Sequence, residues 1–122
     1  MMAFGASVDA IRDRMAQLRA STSSPNWDAD GATPLDPEVI SHAERLAKYV
    51  VANAPLAPDP FISPCGDGTV HLRWRTSSAK VVVEVGAEQC DWFVKSATDF
   101  MEGVCRSEDD VVELVQKHLR HA

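Results

Sequence analysis

The chain has 122 residues, 45% of them hydrophobic and 25% charged, which fits one globular domain with a single core and excludes wholesale disorder. Eighteen acidic against twelve basic side chains leave a net charge of −6, a balance that disfavours nucleic-acid phosphates and anionic lipid and makes a basic partner easier to attract. That charge is spread along the chain rather than gathered into the acidic stripe that mimicry of nucleic acid needs.

The spacing of Val8, Ile11, Met15 and Leu18 predicts an amphipathic helix over residues 6–20, with Asp9, Arg12, Arg14 and Arg19 off the apolar stripe. Residues 21–35 are rich in Ser, Pro, Gly and Asp and read as a loop, long for a passive connection. A second helix over residues 36–54 opens with Asp36 as N-cap, Pro37 at the first helical position and Glu38 in the first turn. Val39, Ala43, Leu46, Ala47, Val50 and Ala54 form its apolar face, and the prolines that follow end it.

From residue 60 to residue 105 the period becomes two, and the segment reads as sheet. A short strand at 61–63 runs into Pro64, which marks an edge because proline cannot donate to a ladder. After the Gly66-Asp67-Gly68 turn, Val70, Leu72 and Trp74 alternate with His71, Arg73 and Arg75. If Ser77 and Ser78 form a two-residue hairpin loop, Val70 faces Val85, Leu72 faces Val83 and Trp74 faces Val81. Every pair is apolar, and a slip of one residue would expose the whole set, so the pattern selects this register.

Further strands are expected at 90–94 and 101–105, then a C-terminal helix over 107–120 that opens on a Ser107/Asp110 capping box and carries Val111, Leu114, Val115 and Leu119 as its stripe. The fold class predicted is a single α+β domain: an antiparallel four- to five-stranded meander sheet with N-terminal, middle and C-terminal helices packed on one face.

The segment Asn26-Trp27-Asp28, Gly31-Ala32 and Pro34, followed by a helix and then by Ile62-Ser63-Pro64, Asp67-Gly68 and Leu72-x-Trp74, resembles a pattern in small uncharacterised bacterial proteins with an N-W-D-x-x-G-A motif. The resemblance spans residues 24–86. It implies a bacterial or mobile-element origin and a similar fold, and it brings no catalytic residue with it.

Asn26, Asp28 and Asp30 stand at alternate positions before Gly31, as oxygen ligands do at the start of a calcium loop. The later ligand positions fall on Pro34 and Pro37, with Glu38 one place late, so the calcium-loop pattern is left incomplete and metal binding by Asn26, Asp28 and Asp30 stands as the alternative reading. The plainer expectation is that Trp27 anchors the loop onto the core while Asp28 and Asp30 accept from nearby backbone amides. A long loop with a tryptophan and two carboxylates also suits contact with a partner.

Cys65, Cys90 and Cys105 form no C-x-x-C pair, and reduced thiols are expected, Cys65 being the accessible one. His42, His71, His118 and His121 show no metal-ligand spacing, and His118 suits a helix C-terminus. No stretch approaches the ~18 apolar residues of a membrane helix, and residues 1–10 lack a basic start followed by an apolar run, so no membrane association and a cytoplasmic location are expected.

On the second face of the sheet the same register sets His71 against Glu84, Arg73 against Val82 and Arg75 against Lys80, with Phe93 beside Val82. Either arginine stems shield a solvated face, or an apolar centre with charged edges forms an interface.

With no recognisable catalytic motif and no cofactor implied, the leading functional reading is a non-enzymatic protein-binding module, for another protein or its own copy. Trp27, Asp28, Asp30, His71, Arg73, Arg75, Val82 and Phe93 are its candidate contacts. Within that class, inhibition of a bacterial toxin or defence protein suits a small acidic chain. The alternatives are a small hydrolase or metal-dependent enzyme built on Asp28, Asp30 and a histidine, and a single-stranded nucleic-acid binder.

Overall fold

The structure of the protein, a computed structural model, describes residues 3–119, with side chains from Val8 onward. Helix α1 runs Ala3–Ser21, and Ile11, Met15 and Leu18 of the expected stripe are buried while Val8 is half-buried. It stops at Thr22, whose N–H and Oγ1 both donate to Leu18 O, at 3.0 and 2.7 Å. Helix α2 (Pro37–Asn53) begins as its cap predicts, Asp36 Oδ1 accepting from the Glu38 amide at 2.9 Å. All six residues of its apolar face are buried: Val39, Ala43, Leu46, Ala47, Val50 and Ala54.

Five strands follow, β1 (Phe61–Pro64), β2 (Val70–Arg75), β3 (Ala79–Val85), β4 (Cys90–Ser96) and β5 (Phe100–Val104), then α3 (Glu108–Leu119). The strands pair in sequence order, each antiparallel to the last, a five-stranded meander. Val70 faces Val85, Leu72 faces Val83 and Trp74 faces Val81, the register that burial demands. The Ser77-Ser78 loop is tightened by Thr76 Oγ1, which accepts from the Ser78 and Ala79 amides at 3.3 Å.

The helices share one side of the sheet. There Ile62, Val70, Leu72, Trp74, Val81, Val83, Val85 and Val94 meet the buried faces of α2 and α3 in one core, with α1 packed on α2. Helix α3 is tied to α2 by the Tyr49 hydroxyl donating to Asp109 Oδ1 at 2.5 Å. Its start differs slightly from a capping box: Ser107 Oγ accepts from the Asp110 amide at 3.3 Å, but Asp110 Oδ2 reaches back to the Arg106 amide, at 2.7 Å, rather than to that of Ser107. Val112 joins Val111, Val115 and Leu119 in the core while Leu114 is half-buried. Residue 120 and His121 lie outside the described residues. No helix among the described residues is long and apolar enough to cross a membrane.

Candidate partner-binding face

Because strand side chains alternate, the residues between the core positions fall together on the side of the sheet away from the helices. Pairing sets them in three rows. The central row reads Phe61, Arg73, Val82, Phe93 and Glu102 from β1 to β5. Beside it lie Arg75, Lys80, Lys95 and Phe100, and on the other side Ser63, His71, Glu84, Asp91 and Val104.

The centre is aromatic and cationic. The Arg73 guanidinium stands 4.7 Å from the centre of the Phe61 ring, and Lys80 Nζ 6.0 Å from that of Phe93. Phe93 in turn stacks on Phe100, with centroids 5.7 Å apart and planes 29° apart. Between these rings Val82 is only 4% exposed, whereas Phe61 and Phe100 are each 58% exposed. The face is therefore partly dry at Val82 and open around it.

Charge is sorted along the strands. Arg75, Lys80 and Lys95 lie directly opposite one another at one end, and Glu84 and Asp91 at the other, with His71 Nε2 3.5 Å from Glu84 Oε2. Like charges set opposite one another across a ladder are destabilising, so neither grouping is explained by the stability of the sheet.

Five of the eight residues expected to contact a partner, His71, Arg73, Arg75, Val82 and Phe93, thus share this face. Trp27, Asp28 and Asp30 belong to a separate feature. Their loop packs beside the β1–β2 turn, the Thr33 amide donating to Gly66 O at 3.0 Å and Asp28 Oδ2 lying 3.3 Å from where a β-carbon at Gly66 would stand.

The loop is braced by its own polar atoms. Asn26 Oδ1 accepts from Gly31 N–H at 2.5 Å, and Asp28 Oδ1 from the Asp30 and Ala32 amides at 2.8 and 3.1 Å. Positive φ angles at Asn26 (60°), Ala29 (65°) and Gly31 (84°) turn the chain tightly enough for those bonds. Two expectations are corrected. Asp30 contributes its N–H to this network, not its carboxylate. Trp27 closes the loop, its indole N–H donating to Thr33 O at 2.8 Å, and stays half-buried outside the core cluster. Among the described residues no three His, Cys, Asp or Glu side chains gather as metal ligands.

The three cysteines are free thiols. Cys65 is half-buried, as is Cys105, and burial raises its pKa above the usual thiol value although a Thr69 hydrogen bond works the other way. Cys90 and Cys105 are cross-strand neighbours, the Cys105 amide donating to Cys90 O at 2.8 Å. Their thiols share a hydrogen bond that, with burial, holds the Cys105 proton well above the ordinary range.

Sequence reasoning missed Phe61, Phe100 and Val104. Phe61 required the β1–β2 register, which the Gly-Asp-Gly turn leaves ambiguous, and Phe100 fell one residue before the strand expected at 101–105. No protein-family model, curated protein or solved structure matches the chain.

Proposed function

We propose that this chain is a non-enzymatic protein-binding module that engages its partner with the helix-free face of its sheet. The observation that carries the reading is the Phe61/Arg73/Val82/Phe93/Phe100 centre, an apolar and aromatic patch edged by charge. The opposed cations Arg75, Lys80 and Lys95 and the opposed acids Glu84 and Asp91 add to it, because a partner of complementary charge relieves both repulsions. Within this class, neutralisation of a bacterial toxin or defence protein is the use that suits a small acidic chain.

The hydrolase reading asks Asp28, Asp30 and a histidine to converge, whereas Asp28 Oδ1 is already engaged by two backbone amides. Single-stranded nucleic acid would find aromatic platforms on the sheet, but Glu84, Asp91 and Glu102 would oppose its phosphates.

The test is gentle purification of the tagged chain beside an Arg73→Ala/Phe93→Ala variant from the same host, with every co-eluting protein, nucleic acid and metal identified. One protein partner present with the parent and lost with the folded variant is the expected result. The same partner retained by the variant rejects this face, and co-eluting nucleic acid released by salt replaces the reading with the nucleic-acid one.

A further inference from the structure

The two edges of the sheet are finished differently. β1 is four residues long, Pro60 precedes it and Pro64 ends it, and Arg14 Nε donates to Ile62 O at 3.0 Å. Its outer side is short of donors and closed by a side chain, two ordinary protections of an edge. β5 contains no proline, and among the described residues no strand pairs with its outer side.

The ladder bonds show which groups that side presents. Ser96 N–H donates to Asp99 O at 2.9 Å just before β5, and Cys105 N–H to Cys90 O at 2.8 Å just after it. Alternation between these two points turns the N–H and C=O of Met101 and Gly103 toward β4, and those of Phe100, Glu102 and Val104 outward.

β5 is also exposed beside its edge, with the Trp92 indole lying across Gly103 on the helix side. The helices lie over β2 and β3, which leaves a groove of about 750 Å³ beside α3 lined by Trp92, Met101 and Leu114 together with charged residues of both signs, Asp110 and Glu113 beside Arg106 and Lys117. On the opposite face Phe100 and Val104, 58% and 52% exposed, flank Glu102.

We propose that β5 accepts, by strand addition, an extended segment of a partner protein in which basic and apolar residues alternate. The inference rests on the partner-binding reading above and names the chemistry of the partner. Main-chain pairing would use the outward groups of Phe100, Glu102 and Val104. Residues opposite those three lie on the open face, and the residues between them lie over the groove, where Trp92, Met101 and Leu114 receive apolar side chains.

Glu102 makes no ion pair among the described residues, and it lines one shallow depression with Glu84, Asp91, Phe93 and Val104. A lysine or arginine opposite it meets that acidity, its stem lying along Phe100 or Val104. A second copy of β5, paired antiparallel about its centre, would instead set Glu102 against Glu102, and like charges directly opposite are destabilising.

The test uses the full chain and a synthetic peptide alternating valine and lysine, with a valine–glutamate peptide as control. Expected are binding of the lysine peptide alone and slowed hydrogen exchange at the Phe100, Glu102 and Val104 amides. Glu102→Pro deletes an outward donor and leaves the β4 ladder its bonds, so it is expected to lose the peptide and keep its circular dichroism. Glu102→Lys keeps the backbone, is expected to exchange the lysine peptide for the glutamate one, and decides the matter if the proline variant is unfolded.

Equal binding of the lysine peptide by parent and Glu102→Lys, no protection in β5, or sedimentation of the parent as a dimer through β5 overturns the proposal. A cellular partner lost with Arg73→Ala/Phe93→Ala but kept by Glu102→Lys leaves the open-face reading standing and strand addition rejected. The converse result rejects the open face and keeps β5.

Discussion

The indole of Trp92 lies across Gly103, its partner on β5, so closely that a β-carbon at Gly103 would stand 2.7 Å from Cζ2 and 2.8 Å from Cε2. No side chain fits there without moving the ring, because carbon atoms meet at ~3.5–4.0 Å. Gly103→Ala is expected to displace Trp92 from the edge strand, cost about 1–3 kcal/mol of stability, and change tryptophan fluorescence. Urea denaturation followed by fluorescence reads both effects, and an unchanged midpoint with an unchanged spectrum would show that the ring has somewhere else to go.

Trp74 is fully buried, and its indole N–H has no hydrogen-bond partner among the described residues. An unmet buried donor costs about 1–3 kcal/mol, so part of what the ring contributes by burial is cancelled by its own nitrogen. Trp74→Phe removes the donor and keeps most of the apolar surface. It is expected to destabilise by less than ~2 kcal/mol, while Trp74→Ala loses about 3–5 kcal/mol. Chemical denaturation of the two variants decides, and equal losses would mean that the nitrogen is satisfied in solution.

Glu44 joins α1 to α2 and carries a pH dependence whose sign follows from its partners. Burial alone would raise its pKa, but hydrogen bonds from Lys48 at 2.8 Å and Arg19 at 2.9 Å, with their charges, hold it below the usual carboxyl value. A carboxyl lowered in the folded state adds stability above its unfolded value of ~4.3, and that stability is lost as pH falls through the folded value. Because Arg19 and Lys48 are 40% and 36% exposed, the effect is at most about 1 kcal/mol. Melting temperature measured from neutral to acid pH is expected to fall less steeply for Glu44→Gln than for the parent; parallel curves would remove Glu44 from the account.

Asp28 and Asp30 look alike in the sequence and are expected to behave differently. Asp28 Oδ1 holds two amides of its loop, so Asp28→Ala should cost about 1 kcal/mol. Asp30 offers the loop its N–H, which alanine retains, so Asp30→Ala should fall within about 0.5 kcal/mol of the parent. Denaturation midpoints of the two variants, measured side by side, check the order.

The architecture was readable because burial constrains it from several directions at once. The Val70/Val85, Leu72/Val83 and Trp74/Val81 pairs hold this register against a slip of one residue, which would turn valines and a tryptophan into water. The cap at Asp36 and the proline after it mark a helix start by local chemistry alone. Two details escaped. Which residues support the Asn26–Gly31 loop depends on φ angles that the residue types only bias, and Trp27 turned to its own loop rather than to the core. The open face was legible where β2 and β3 fix each other, at Arg73 and Val82, and illegible at Phe61 and Phe100, which lie on strands whose neighbours are set by longer or less certain turns.

The contact between Arg14 and the Ile62 carbonyl also limits what the molecule can build. A filament of sheets needs every unit to offer two open sides, one to receive and one to pass on. Here one side is stoppered by a helix residue and by prolines, so the β1 edge of one copy is closed to the β5 edge of the next. Copies of this chain therefore cannot extend one another's sheets end to end through β1.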